Sequence, residues 1–201
     1  MTAPPGPPTD DLEAIGADLW ERLAAAAKGL RSPWHTPAVG TADGDLRIMV
    51  LRHVNAAAGR LRFHTDARSP KARLIGGGAR VSLLFYDAAA KLQLRCSGVG
   101  LIETGGGDAD VAWAASSASS RRCYLASTAP GNRADGPTSG LPETVAGRVP
   151  TLPETEAGRA NFAALSVTLD RIDWLFLAHG GHRRALFERS GDRWTAGWLV
   201  P

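Results

Sequence analysis

The chain has 201 residues, 44% of them hydrophobic and 21% charged, which is the composition of an ordinary globular protein and, by length, of one domain. Its 23 Lys+Arg against 20 Asp+Glu leave a net charge of +3, too slight for a basic nucleic-acid-binding face. Cys96 and Cys123 have no CxxC partner, and no signal-peptide core or membrane-length apolar run occurs, so the expectation is a cytoplasmic protein without metal, membrane or nucleic-acid partner.

Residues 1–9, MTAPPGPPT, are proline-rich and predict a disordered tail, with a single domain over 10–201. From Asp10, the spacing of Leu12, Ile15, Leu19, Leu23 and Leu30 predicts a helix capped by Asp10 or Asp11. The period then changes to two. TPAVGTA, DLRIMVLRHVN, RLRFHTD, RVSLLFYD and LQLRCSGVGLIE each read as a strand bounded by Gly, Asp or Asn. The second and fourth are apolar on both faces for several residues, so a helix or a second subunit should cover the sheet.

A helical stretch is expected near 108–126. Residues 127–153 hold five prolines and no clear period, which fits a lid, a subunit arm or a disordered segment. After a short helical piece near 154–161, strands resume in FAALSVTLDRIDWLFLA, RRALFER and RWTAGWLV. Six to eight strands with few helices predict a mainly β (α+β) fold, an antiparallel barrel with peripheral helices.

The join between strand and helix in FHTDARSPKARLIGGG gathers His64, Thr65, Asp66, Arg68, Ser69 and Lys71 in one short turn. Ser69 followed by Pro70 reads as an N-cap and first helical residue, and the glycines 76–78 as the helix stop. Thr65 and Ser69 bring hydroxyls and Arg68 and Lys71 bring charge, a set that suits a phosphate. Three or four charge-assisted hydrogen bonds at roughly 1.5–3 kcal/mol each reach the ~8 kcal/mol of micromolar binding only with help from other contacts. A capped helix with solvated charges is the plain alternative.

The ordered series RIMVLR, F-H-T-x-x-x-S-x-K, RVSLLF and Gln93 resembles the FMN-binding split-barrel family of pyridoxamine 5′-phosphate oxidase, from about residue 35 to Pro201. The resemblance implies an FMN-binding split β-barrel and a homodimer with the flavin at the subunit interface. It matches Arg47, Ile48, Met49 and Val50 to the strand that holds the flavin and its phosphate, with Arg52 in place of a lysine. Strand alternation puts Arg47 and Arg52 on opposite faces unless a bulge intervenes. His64 and Thr65 match flavin contacts, and Ser69 and Lys71 the phosphate pair. Pro70 replaces an arginine whose charge Arg68 could restore, and Gln93 matches a glutamine at the flavin ring.

Near the C-terminus, Arg184 matches an arginine that reaches the flavin across the interface. The tryptophan that accompanies it is Trp174 by spacing or Leu175 by local pattern. Trp113, Ser117 and Arg121 stand where the oxidase holds its phosphorylated substrate, and Gly180-Gly181-His182 replaces its Arg-x-His. These departures point away from vitamin B6 phosphate and towards an FMN-dependent oxidoreductase acting on another small molecule. Hydride would pass to the flavin N5, with reoxidation by dioxygen or another acceptor. His64 and His182 are candidate proton carriers, but no catalytic acid or base stands out. A flavin carrier or sensor without turnover, and a split barrel using deazaflavin F420 or haem, are the alternatives.

Overall fold

The first helix begins where a side chain can satisfy its end. In the computed structural model, which describes residues 6–29 and 31–201, Asp11 accepts hydrogen bonds from the Glu13 and Ala14 amides at 2.8 and 3.1 Å and caps α1, Leu12–Lys28. Leu30 and residues 1–5 of the expected tail lie outside the described residues, while residues 6–9 carry no helix or strand.

Nine strands follow among the described residues: β1 Ala38–Thr41, β2 Leu46–Ile48, β3 Leu51–Asn55, β4 Arg60–Asp66, β5 Ala79–Asp87, β6 Leu92–Glu103, β7 Phe162–Phe176, β8 Arg183–Ser190 and β9 Arg193–Leu199. They form one sheet in the order β2-β1-β5-β6-β7-β4-β3, with β8 on β7 and β9 on β8, the curled antiparallel sheet of a split barrel. One strand expected from DLRIMVLRHVN is in fact two. The chain leaves the β1 partner after Ile48, the Met49 amide donates to the Pro37 carbonyl at 3.1 Å, and β3 pairs with β4 instead. The single helix expected near 108–126 is also broken, into α3 Gly107–Ala114, α4 Ala118–Arg121 and a 3₁₀ turn, because the Ser117 side chain caps a new start. Between β4 and β5 lies α2, Pro70–Ile75, and before β7 lies α5, Leu152–Thr155.

The chain folds as two compact units: one of residues up to Phe63 with 79–100 and 167–201, the other of residues 64–78 with 101–166. In the first unit, Ile15, Leu19 and Leu23 of α1 are buried together with Trp34, Leu51, Leu61, Phe63, Phe85, Leu94 and Trp174. At about 1.5–3 kcal/mol per large apolar side chain removed from water, these residues drive the unit's folding. Gly98 of β6 has no room for a side chain: a Cβ there would fall on the Thr168 carbonyl oxygen and 2.8 Å from the Leu169 Cα. Strand alternation puts a second apolar set on the opposite face, and it stays in solvent. Leu46 is 70% and Ile48 65% exposed, beside Leu84, Tyr86 and Val99.

The second unit is built around Trp113, Tyr124 and Phe162, whose rings lie 5.0–6.0 Å apart, with Ala109, Ala112 and Ala164 filling between them. Arg121 is buried beside them. Its guanidinium lies 4.4 Å over the Trp113 ring, donates to the Trp113 carbonyl at 2.7 and 3.0 Å, and pairs with Glu156 at 2.6 Å. No helix among the described residues is long and apolar enough to cross a membrane.

Candidate functional site

The polar turn lies in the second unit and folds as its sequence predicts. Ser69 caps α2 by accepting from the Ala72 amide at 3.3 Å, Pro70 opens the helix, and Gly76 leaves it with φ +48°. Ser69 and Thr65 are both buried, with their hydroxyl oxygens 3.4 Å apart, and Lys71 follows on the first turn. His64 stands edge-on to Phe162 at 4.9 Å. The helix has only six residues, so the hydroxyls and the lysine, rather than a helix dipole, are what the turn can offer an anion.

Arg68 has a different place from the one its position suggests. Its Nε and Nη2 form a bidentate pair with the buried Asp66 carboxylate at 3.0 and 2.8 Å, which holds the guanidinium pKa above its ordinary value. The same Nη2 donates to the Ala126 carbonyl at 2.9 Å, and Nη1 lies 3.5 Å from that of Ser127. Just there the proline-rich segment begins. The Ser127 amide donates to the Gly140 carbonyl at 3.0 Å, closing a loop at its neck, and Gly131 passes over Pro70. Arg68 therefore ties the long loop to the turn.

The remaining predicted residues lie in the first unit. Arg47 is turned into its own hairpin, where Nη1 donates to Thr41 Oγ1 at 2.9 Å and Nη2 pairs with Asp45. Ile48 is exposed, Met49 buried and Val50 half-buried at the break between β2 and β3. Arg52 belongs to the next strand, at the register shift between Leu51 and His53, so a strand break and a bulge both separate it from Arg47. Gln93 is half-buried opposite Tyr86. Trp174 is fully buried and pairs with Ala185, whereas Leu175 is the direct cross-strand partner of Arg184. The outward position beside Arg184 thus belongs to Leu175.

Arg184 does not stand alone. Its Nε and Nη2 grip Asp173 at 3.0 and 2.8 Å, and Arg95 Nη2 reaches the same carboxylate at 2.5 Å. Burial raises the Asp173 carboxyl pKa, but the hydrogen bonds and charges of Arg184 and Arg95 outweigh it and hold the group below the ordinary carboxylate value. These three residues, with Arg171, Ser82 and Ser97, line a cavity of about 550 Å³ on the outer sheet face. Of this set only Arg184 was predicted. The one sequence signal for the rest is polar residues on an otherwise apolar alternation: Arg95 in LQLRCSG and Asp173 in RIDWLF.

Residues expected at a phosphorylated substrate are used elsewhere. Trp113 is core, Ser117 caps α4 and Arg121 is buried in its own network. No group of three or more potential metal ligands occurs among the described residues.

No family model matches the chain, and no curated protein matches its sequence. Solved structures do match its fold. A pyridoxamine 5′-phosphate oxidase-related, FMN binding protein from Nostoc punctiforme superposes with a TM-score of 0.65 at 20% identity, over 92% of this chain and 96% of that one. PhzG from Burkholderia lata, solved in complex with tetrahydrophenazine-1-carboxylic acid, gives 0.64 at 20% identity, over 97% and 94%. The chain thus has the split-barrel fold of the pyridoxamine 5′-phosphate oxidase-related proteins.

Proposed function

We propose that the chain is an FMN-dependent oxidoreductase that works as a homodimer in the cytoplasm on a small organic molecule. The observation that carries this reading is the buried hydroxyl pair of Thr65 and Ser69 with Lys71 beside it, in the turn to which the sequence resemblance assigns the flavin phosphate. The fold shared with an FMN binding protein over nearly its whole length supports it.

In this reading Thr65, Ser69 and Lys71 hold the phosphate. By the sequence resemblance, His64, Arg47 with the backbone of Ile48–Val50, and Gln93 are assigned to the rest of the flavin. Arg68 keeps the 127–140 loop against the turn. FMN, when bound, supplies hydride acceptance at its N5. Arg184 is assigned to the flavin of the second copy, its guanidinium oriented by Asp173. The exposed apolar row Leu46, Ile48, Leu84, Tyr86 and Val99 supports the dimer, because a face of that kind is unfavourable in water without a partner. A vitamin B6 phosphate is not the proposed substrate, because Arg121 is fully engaged in the structure of its own unit.

Titration of the flavin-stripped protein with FMN tests the reading. Wild type should bind at micromolar concentration or below, and the Ser69→Ala/Lys71→Ala double variant at least tenfold more weakly. Equal affinity would remove the phosphate site and the function built on it.

A further inference from the structure

A second hollow, between α1 and the β8–β9 hairpin, lies on the other side of that hairpin from Arg184. Ile172 of β7, Phe187 of β8 and Ala196 of β9 stand in one cross-strand row, and strand alternation turns this row away from Arg184. Over the row α1 lays Glu13, Gly16 and Trp20, which share one helix face. Gly16 permits a close approach, since a Cβ there would meet Phe187 Cε1 at 3.3 Å. Beside that contact Trp20 meets Trp194 with ring centroids 6.0 Å apart and planes inclined at 65°. The two indoles and Phe187 wall a cavity of about 450 Å³, within the size range of small-molecule sites. None of these residues is assigned to the flavin or to the exposed row that supports the dimer.

One side chain sets the sign of the cavity. Glu13 is the only charged residue in its lining, is exposed, and has no ion-pair partner among the described residues. The helix end does not need its carboxylate, because Asp11 already caps the Glu13 and Ala14 amides. The cations that β8 puts on the same face are matched by other acids, Arg183 by Asp10 at 3.7 Å and Arg189 by Asp192 at 3.2 Å. Arg22 of α1 is matched by Asp18 at 2.7 Å. A negative charge is therefore left over at an aromatic cavity.

We propose that this cavity binds a small organic ammonium ion, with its cationic head between Glu13 and the indole pair and its apolar body on Phe187 and Ala196. A cation is favoured there twice, by the carboxylate and by the negative faces of the aromatic rings, whereas an anion is repelled by Glu13. The site goes beyond the flavin reading and does not rest on it.

Calorimetric titration of the protein as purified tests it, with benzyltrimethylammonium as the probe and dimethyl benzyl carbinol, uncharged and of similar shape, as the control. Saturable ammonium binding at least tenfold tighter than that of the carbinol is expected, and phenylacetate should not bind. Trp20→Leu should weaken the ammonium tenfold or more, and Glu13→Gln, at an exposed position, threefold or more. Ala196→Leu, which fills the hollow without changing charge, should abolish binding. Circular dichroism of each variant should match wild type, and FMN affinity should stay within twofold. Ammonium binding that equals carbinol binding, or that is unchanged in Glu13→Gln and Ala196→Leu, overturns the proposal. The flavin spectrum of the same samples separates the two readings. A yellow protein that ignores the ammonium sinks only this site, and a colourless one that binds it sinks only the oxidoreductase.

Discussion

The turn at Ser69 and the sheet face around Arg184 both gather cations, but they use them differently. In the turn, contacts within a few residues fix the groups: Ser69 caps Ala72, and Arg68 is matched one-to-one by Asp66. On the sheet face, Arg95 and Arg184 come from strands far apart in sequence and share one carboxylate, so charge is left over. A locally satisfied cluster serves structure first, and the hydroxyls and Lys71 are the groups that the turn can present to a ligand. A cluster built at long range with surplus charge is offered more fully.

The largest expected effect falls on the scaffold of the sheet face. Gly98→Val would drive a side chain into the Thr168–Leu169 backbone and should cost about 3 kcal/mol or more in urea unfolding, or prevent folding. A stability within 1 kcal/mol of wild type would mean that β6 and β7 can separate at little cost.

Asp173→Asn comes next, at about 2 kcal/mol near pH 7. That is below the 3–5 of a fully buried pair, because both guanidiniums reach solvent. The effect has a pH signature. A carboxyl whose folded pKa is depressed adds stability above its unfolded value of about 3.9, and this is lost as pH falls through the folded value. The wild-type advantage over Asp173→Asn should therefore shrink below about pH 4. An advantage that is constant with pH would show that the charge of Asp173 is not what stabilises the face.

In the turn the effects should be smaller. Arg68→Ala should cost about 1 kcal/mol and, more visibly, speed proteolysis within residues 127–140 by severing the loop neck from Asp66. Unchanged cleavage would mean that the loop holds itself. The dimer can be broken separately. Ile48→Asp, at a 65% exposed position, should shift the gel-filtration mass from dimer to monomer with little change in the fold of the monomer. A wild-type monomer at micromolar concentration would remove both the dimer and the role of Arg184 on a second copy.

The regions were legible to different degrees, for a physical reason. The Ser69 cap, the Pro70 start, the Gly76 stop and most strand limits follow from local rules, and the sequence shows them directly. The break in RIMVLR was hidden, because two short strands that change partner have the same alternation as one long one. The tie of Arg68 to the long loop is not legible in the sequence, because its partner carbonyls at Ala126 and Ser127 lie almost sixty residues away. The cavity was missed for the same reason: Gly40, Ser82 and Ser97 become neighbours only through sheet register. Trp174 and Leu175 could not be told apart by spacing, and the pairing of β7 with β8 puts Leu175 beside Arg184.

The central claim is that the chain binds FMN, and the visible absorption spectrum of the protein purified without added cofactor tests it most directly. The account predicts a flavin spectrum and the release of FMN on heat denaturation. A colourless protein that also fails to take up added FMN would contradict it and leave the Ser69 turn a capped helix.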